Sequence, residues 1–238
     1  MKRIKRVFAG SMAVFAIVTT LTSCADKKTE KGSVAVTEAD DNEIVLTSEE
    51  ISKYVEKGAD INGFEKYEDA ADQFIKAVKE QDISLLKNDF FIRDEEQYIM
   101  PIDQGIIGLL YKQAVSFMSE PDYEVDYKKE TGDYTAEELQ TADDIANMYY
   151  VYSSINKEVT GGDKELSDDE RAIVSQKIQA FDFDFVNIER PVSVTEGKYY
   201  EVGLKKGDDL ITILFSLYKV NDEKWLIQTA EFNRNIAE

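Results

Sequence analysis

The chain has a single cysteine, Cys24, and no histidine among its 238 residues, and this restricts how it can fold. One cysteine cannot close an intramolecular disulfide, and the usual histidine and cysteine ligands of zinc sites are missing. The fold must therefore be stabilised by its own hydrophobic core. Hydrophobic residues make up 43% of the chain, including 12 Phe and 13 Tyr. That is enough for a core in a folded domain of roughly 180 residues.

The first 24 residues have the pattern of an export signal. Four basic residues within the first six precede an apolar run from Val7 to Leu21, and Cys24 follows shortly after. Leu21-Thr22-Ser23-Cys24 resembles the lipobox of bacterial lipoproteins, with a small residue directly before the cysteine. The resemblance implies that residues 1–23 are a signal peptide and that Cys24 becomes the mature N-terminus, carrying a diacylglyceryl thioether. The predicted location is the extracytoplasmic face of the cell membrane.

Two alternatives for this segment stay open. The first is an uncleaved membrane anchor, although the apolar run is shorter than the ~20 residues that a spanning helix needs. The second is ordinary cleavage that leaves a free thiol, which is unusual in an exported protein. The lipobox-like residues Leu21, Ser23 and Cys24 favour the lipoprotein interpretation. The acyl chains that it implies are sufficient for stable anchoring, which takes two lipid signals.

The net charge of the chain excludes several classes of partner and site. It is −20, and removal of the four basic residues in 1–23 makes it about −24. Such a domain is not expected to bind nucleic acid, whose phosphates require clustered Lys and Arg. Histidine-dependent nucleophiles and bases are excluded too. The sequence predicts no cofactor and no metal site.

One stretch has partial calcium-loop spacing. Oxygen donors alternate at Asp163, Glu165, Ser167 and Asp169, but Asp168 and Val174 stand where a calcium loop has its glycine and its bidentate glutamate. Acidic residues at a helix N-terminus explain the pattern better, since they interact favourably with the helix dipole.

The chain divides into a signal at 1–23, a polar flexible tether at 24–43 and one α+β domain at 44–238. The apolar spacing predicts helices beginning near Ser48 and Tyr67. The apolar run over 105–118 is compatible with a helix or a strand, and its length favours a helix. Capping-box patterns at Thr135 and Ser167 predict helices extending to about Ser153 and Gln179.

The last 60 residues change from helical to strand periodicity. Alternating apolar residues predict strands over 181–185, 192–205, 210–220 and 225–232, joined by short turns. A shorter alternation at Tyr123, Val125 and Tyr127 indicates a further short strand. The predicted fold is N-terminal helices packed on a C-terminal antiparallel, curved sheet of about four strands.

Two segments carry a further resemblance. The helix from Phe74 to Asp82 and the hairpin from Leu217 to Ile227 resemble the first helix and last hairpin of nuclear-transport-factor-2-like (cystatin-like) domains. Many small bacterial lipoproteins carry such domains. The resemblance implies a curved sheet wrapped around a helix, often with a cone-shaped pocket, and it implies no particular chemistry.

The predicted function is a non-enzymatic binding or interaction module, held at the membrane by the Cys24 lipid. Its ligand residues are predicted on one helix, at Tyr149, Tyr150 and Tyr152. The partner is expected to be an extracytoplasmic protein or a small apolar or saccharide ligand. The alternative is a carboxylate-based hydrolase or isomerase in a cone-shaped pocket, which needs two converging acidic side chains.

Overall fold

The computed structural model describes residues 44–56, 61–86, 106–118, 122–161, 167–185 and 187–236. All of them belong to one compact unit, Glu43–Glu238. The predicted signal, Cys24 and the whole of the tether lie outside the described residues, and so does the apolar run 90–92, whose composition is typical of a buried strand. Two donors of the calcium-like stretch, Asp163 and Glu165, do so as well.

Five α-helices and one 3₁₀ turn are described. Three of the helices begin with a capping box, in which Thr47, Thr135 or Ser167 exchanges hydrogen bonds with the glutamate three residues later. The two predicted capping boxes are thus confirmed. The helices are α1 (Ser48–Tyr54), α2 (Tyr67–Glu80), α3 (Ile106–Phe117), α4 (Ala136–Thr160) and α5 (Asp168–Ala180), with a 3₁₀ turn at Ile83–Leu86.

Four antiparallel strands form one sheet in the order β1-β2-β3-β4. They are β1 (Glu124–Asp133), β2 (Val194–Lys206), β3 (Asp209–Val220) and β4 (Lys224–Ile236). The α+β class, with helices packed on a curved antiparallel sheet of four strands, is confirmed. β1 comes from the middle of the chain, whereas the other three strands follow one another near its end. It lies at the edge of the sheet and pairs with β2.

The predicted strand over 181–185 is wrong. Asp182 Oδ1 accepts a hydrogen bond from the Asp184 amide, and Asp184 in turn accepts one from the Asn187 side chain. These local bonds hold the backbone in turns, which compete with pairing in a sheet. Phe181 and Phe185 are buried all the same, because they pack into the core formed by α1, α4 and α5.

One face of the sheet, here called the covered face, packs against α2 and α3. Phe74 of α2 is fully buried, and its ring centroid lies 5.5 Å from that of Phe215 on β3 and 6.2 Å from that of Phe232 on β4. Aliphatic residues such as Val202 and Ile213 complete the layer. This largest core fixes the position of β2, β3 and β4 relative to the helices.

The opposite face is covered at one end by the first half of α4. Ala142, Ala146 and Tyr150 of α4 form a buried cluster with Tyr218 and Leu226 of the sheet. Val151 and Ile155, further along α4, belong instead to the core shared with α1 and α5. The long helix therefore joins the sheet to the smaller helical layer.

Candidate binding surface

The three tyrosines predicted to bind a ligand do not form one exposed cluster. Tyr150 is 1% exposed, and its hydroxyl donates a 2.6 Å hydrogen bond to the Glu56 carbonyl. Tyr149 and Tyr152 are half-buried and meet edge to face, with centroids 6.3 Å apart, and Tyr152 also meets Phe183 at 5.5 Å. Burial raises the pKa of both phenols. These rings mainly pack α4 against its neighbours.

A buried side chain of α4 lacks hydrogen bonds. Asn156 is 1% exposed, and neither its Nδ2 nor its Oδ1 has a partner in the described part of the chain. Burying an unpaired amide costs free energy. We therefore expect Asn156→Leu, which keeps the branched shape of the side chain and removes both polar atoms, to raise the free energy of unfolding by about 1–2 kcal/mol in urea titrations.

The same substitution at Asn147 is the matched control. Asn147 is also fully buried on α4, but its Oδ1 accepts from the Val192 amide at 3.1 Å and its Nδ2 donates to the Asp143 carbonyl at 2.7 Å. Asn147→Leu should lower stability by about 1–3 kcal/mol, because it leaves these groups unpaired. Equal losses in the two variants would contradict the interpretation of Asn156.

A charged cluster joins α1, α4 and α5. Lys177 Nζ donates to Glu158 Oε2 and to the Tyr54 hydroxyl at 2.8 Å each, and to Glu50 Oε1 at 3.2 Å. Tyr54 donates to Glu158 as well. Every polar group of the cluster has a partner, so it works as a clamp that fixes α1 to the other two helices.

The clamp shifts the pKa of its members. Burial raises the pKa of Glu158, but hydrogen bonds from Lys177, Tyr54 and Lys53 outweigh burial and lower it to about 2. Burial and the bond to Glu158 raise the pKa of Tyr54 to about 12. These shifts keep Glu158 charged and Tyr54 protonated.

We expect a pH dependence of stability from Glu158. Because its folded pKa lies below its ordinary value of 4.5, its contribution is complete above that value and is lost as the pH falls toward about 2. Urea unfolding at a series of pH values should show wild type losing stability more steeply in that window than Glu158→Gln. Glu137→Gln, at an exposed position on the same helix, should follow wild type. Parallel curves for wild type and Glu158→Gln would contradict the clamp.

Adjacent acidic residues, any pair of which could supply a catalytic acid and base, stand at Glu95-Glu96, Glu137-Glu138, Asp143-Asp144, Asp168-Asp169 and Asp208-Asp209. Several of those that the structure describes have structural partners. Asp143 pairs with Arg190 and accepts a 2.7 Å hydrogen bond from the Val194 amide. Asp209 pairs with Arg234, which lowers the pKa of its carboxyl. Glu95-Glu96 lies outside the described residues. In the described part of the chain, each carboxyl group with a shifted pKa has it lowered, the opposite of what a general acid needs.

The half of the sheet beyond α4 presents a mixed polar and apolar surface, here called the open face. Residues directly opposite each other on paired strands point to the same side, and two such rows lie opposite the covered face. Lys129, Glu231 and Asn233 are exposed, and the others are half-buried apart from one buried glycine. The rows are Tyr127, Gly203, Thr212 and Asn233, then Lys129, Glu201, Leu214 and Glu231.

Tyr127 is the one aromatic ring of these two rows, and its position depends on Gly203. A Cβ atom at residue 203 would overlap Cε1, Cδ1 and Cζ of the Tyr127 ring, so the ring lies directly on the glycine backbone. The Tyr127 hydroxyl donates to Glu201 Oε1 at 2.8 Å and is 3.4 Å from Thr212 Oγ1. The sequence alone does not single out Tyr127 as a candidate, because there it stands only as one residue of a short strand pattern.

No protein-family model matches the chain, and neither the curated proteins nor the solved structures contain a match to it. The resemblance to nuclear-transport-factor-2-like domains therefore remains a prediction. None of the described helices combines the length and apolar character needed to cross a membrane. The described residues contain no group of three or more acidic or cysteine side chains arranged so that they could hold a metal ion.

Proposed function

We propose that the chain is a lipoprotein tethered to the extracytoplasmic face of a membrane through Cys24, and that its folded domain is a binding module. The observation that carries the binding role is the open face, where half-buried Tyr127 and Leu214 lie among exposed polar side chains. The anchoring role is supported by the lipobox-like residues before Cys24. The described domain begins at residue 44, which leaves 19 residues between the anchor and the fold.

A catalytic role has less support. A hydrolase or isomerase of the carboxylate type needs two acidic groups converging in a concave site, one with a raised pKa. The covered face, where a cone-shaped pocket was expected, is filled in its described part by Phe74, Phe215, Phe232 and their aliphatic neighbours. Binding without catalysis needs only an accessible surface with apolar and hydrogen-bonding side chains, and the open face has such a surface.

The net charge of the domain restricts the chemical class of the partner. At a net charge of about −24 after processing, anionic ligands are repelled, and a neutral or basic extracytoplasmic partner is favoured. The extracytoplasmic partner is a protein or a small ligand, and neither nucleic acid nor a cofactor is part of the proposal.

Cross-linking in intact cells tests the binding role. The full chain, purified from its own membranes after cross-linking, should recover a partner or ligand that a Glu231→Arg/Asn233→Arg variant recovers poorly. Glu130→Gln, on the covered side of β1, is the control and should behave as wild type. If wild type and the double variant recover the same material, or if neither recovers any, the open face is not the binding surface.

A further inference from the structure

The ring of Tyr127 is held in place on three sides. Gly203 lies beneath it, and the hydroxyl is fixed by Glu201 and by its contact with Thr212. The side chain is nevertheless only half-buried. A ring that is fixed before a ligand arrives loses little conformational freedom on binding, which favours affinity. The arrangement is therefore a preformed platform for stacking.

Hydrogen-bonding groups of both kinds surround this platform. Asn233 lies in the same row as Tyr127 and offers an amide donor and acceptor, while Thr212 offers a hydroxyl. The next row presents the carboxylates of Glu201 and Glu231 as acceptors and Lys129 as a donor. Neighbouring strands lie about 4.8 Å apart, so the groups from Lys129 on β1 to Glu231 and Asn233 on β4 are spread over about 14 Å, which is the span of more than one ring of an oligosaccharide.

The charges of the open face are largely balanced. Lys129 stands directly opposite Glu201 across β1 and β2, and on the other side of the Tyr127 row Glu124 stands directly opposite Lys205. Opposite charges at such positions interact favourably with each other. The local surface therefore has little pull on an ion, and the strongly negative domain repels anions. Charge complementarity favours an uncharged ligand.

We propose that the open face binds an uncharged oligosaccharide, with one sugar ring stacked on Tyr127 and with hydroxyls of that ring and of its neighbours bonded to Thr212, Asn233 and Glu231. Sugar hydroxyls both donate and accept hydrogen bonds, and the C–H face of a pyranose packs on an aromatic ring. This proposal rests on the binding function proposed above and names its ligand class. It also moves the saccharide site from the tyrosines of α4 to the sheet.

Calorimetric titration of the full chain in detergent tests the proposal. The probes are cellotetraose, maltotetraose and chitotetraose, which are uncharged, and the cationic tetramer of glucosamine. At least one uncharged tetrasaccharide should bind. Tyr127→Ala, which removes the ring, and Gly203→Ala, which displaces it, should each weaken that binding about tenfold or more. Glu130→Gln on the covered side should bind as wild type does.

Thermal unfolding establishes that each variant is folded. If Tyr127→Ala does not fold, Asn233→Ala decides, because its exposed side chain can be truncated without disturbing the core. Unchanged affinity in folded variants, or binding of the cationic tetramer alone, overturns the proposal. If no saccharide binds while cross-linking still recovers a partner through the open face, the saccharide assignment is wrong and the binding function stands.

Discussion

A Cys24→Ser variant of the full chain is expected to lose all lipid. Serine has no thiol, and Cys24 is the only cysteine in the sequence, so no thioether can form elsewhere. Cells fed an alkyne-tagged fatty acid should yield a labelled wild-type chain and an unlabelled variant. This is the largest functional effect that the account predicts, since it removes the only proposed attachment to the membrane.

A second cysteine placed in the same polar segment provides the control. Ser33→Cys, introduced into the Cys24→Ser background, restores a thiol nine residues further along without the preceding lipobox-like residues. This double variant should also stay unlabelled. Labelling of either variant would show that the sequence ending at Cys24 does not direct lipidation.

Phe74→Ala is expected to cause the largest loss of stability. The side chain is fully buried, and it contacts two strands through Phe215 and Phe232. Removing a buried ring leaves a cavity and loses the transfer free energy of the ring, which together cost about 3–5 kcal/mol. Urea unfolding, followed by circular dichroism, should show the midpoint falling accordingly.

Two further variants bracket this result. Phe74→Leu fills most of the same space and should cost less than half as much as Phe74→Ala. Ile173→Ala, at a 41% exposed position on α5, should change stability by no more than about 0.5 kcal/mol. A loss for Phe74→Ala as small as that for Ile173→Ala would mean that α2 does not pack on the sheet as described.

Local signals in the sequence predicted much of this fold. The capping boxes at Thr135 and Ser167 placed the starts of α4 and α5 correctly, because such a box depends only on residues three apart. The strands β2, β3 and β4 alternate visibly and are joined by tight turns. α4 runs to Thr160, about two turns beyond its predicted end, since its final turns are buried by contacts from distant residues.

The errors and omissions involve interactions between distant segments. Phe181 and Phe185 alternate with polar residues as in a strand. They are apolar because they are buried against α1 and α5, and they do not pair in the sheet. Tyr127 becomes notable only when β1 lies beside β2 and its ring meets Gly203. Pairing of a mid-chain strand with a later one leaves little trace in either segment alone, so the open face was not predictable from the sequence.

Mass spectrometry of the chain extracted from its own membranes tests the proposed lipid anchor at Cys24. We expect a mature protein whose first residue is Cys24, with residues 1–23 removed and a diacylglyceryl group on the sulfur. A chain that still begins at Met1, or one cleaved to leave a free thiol at Cys24, would contradict the proposed lipid anchoring.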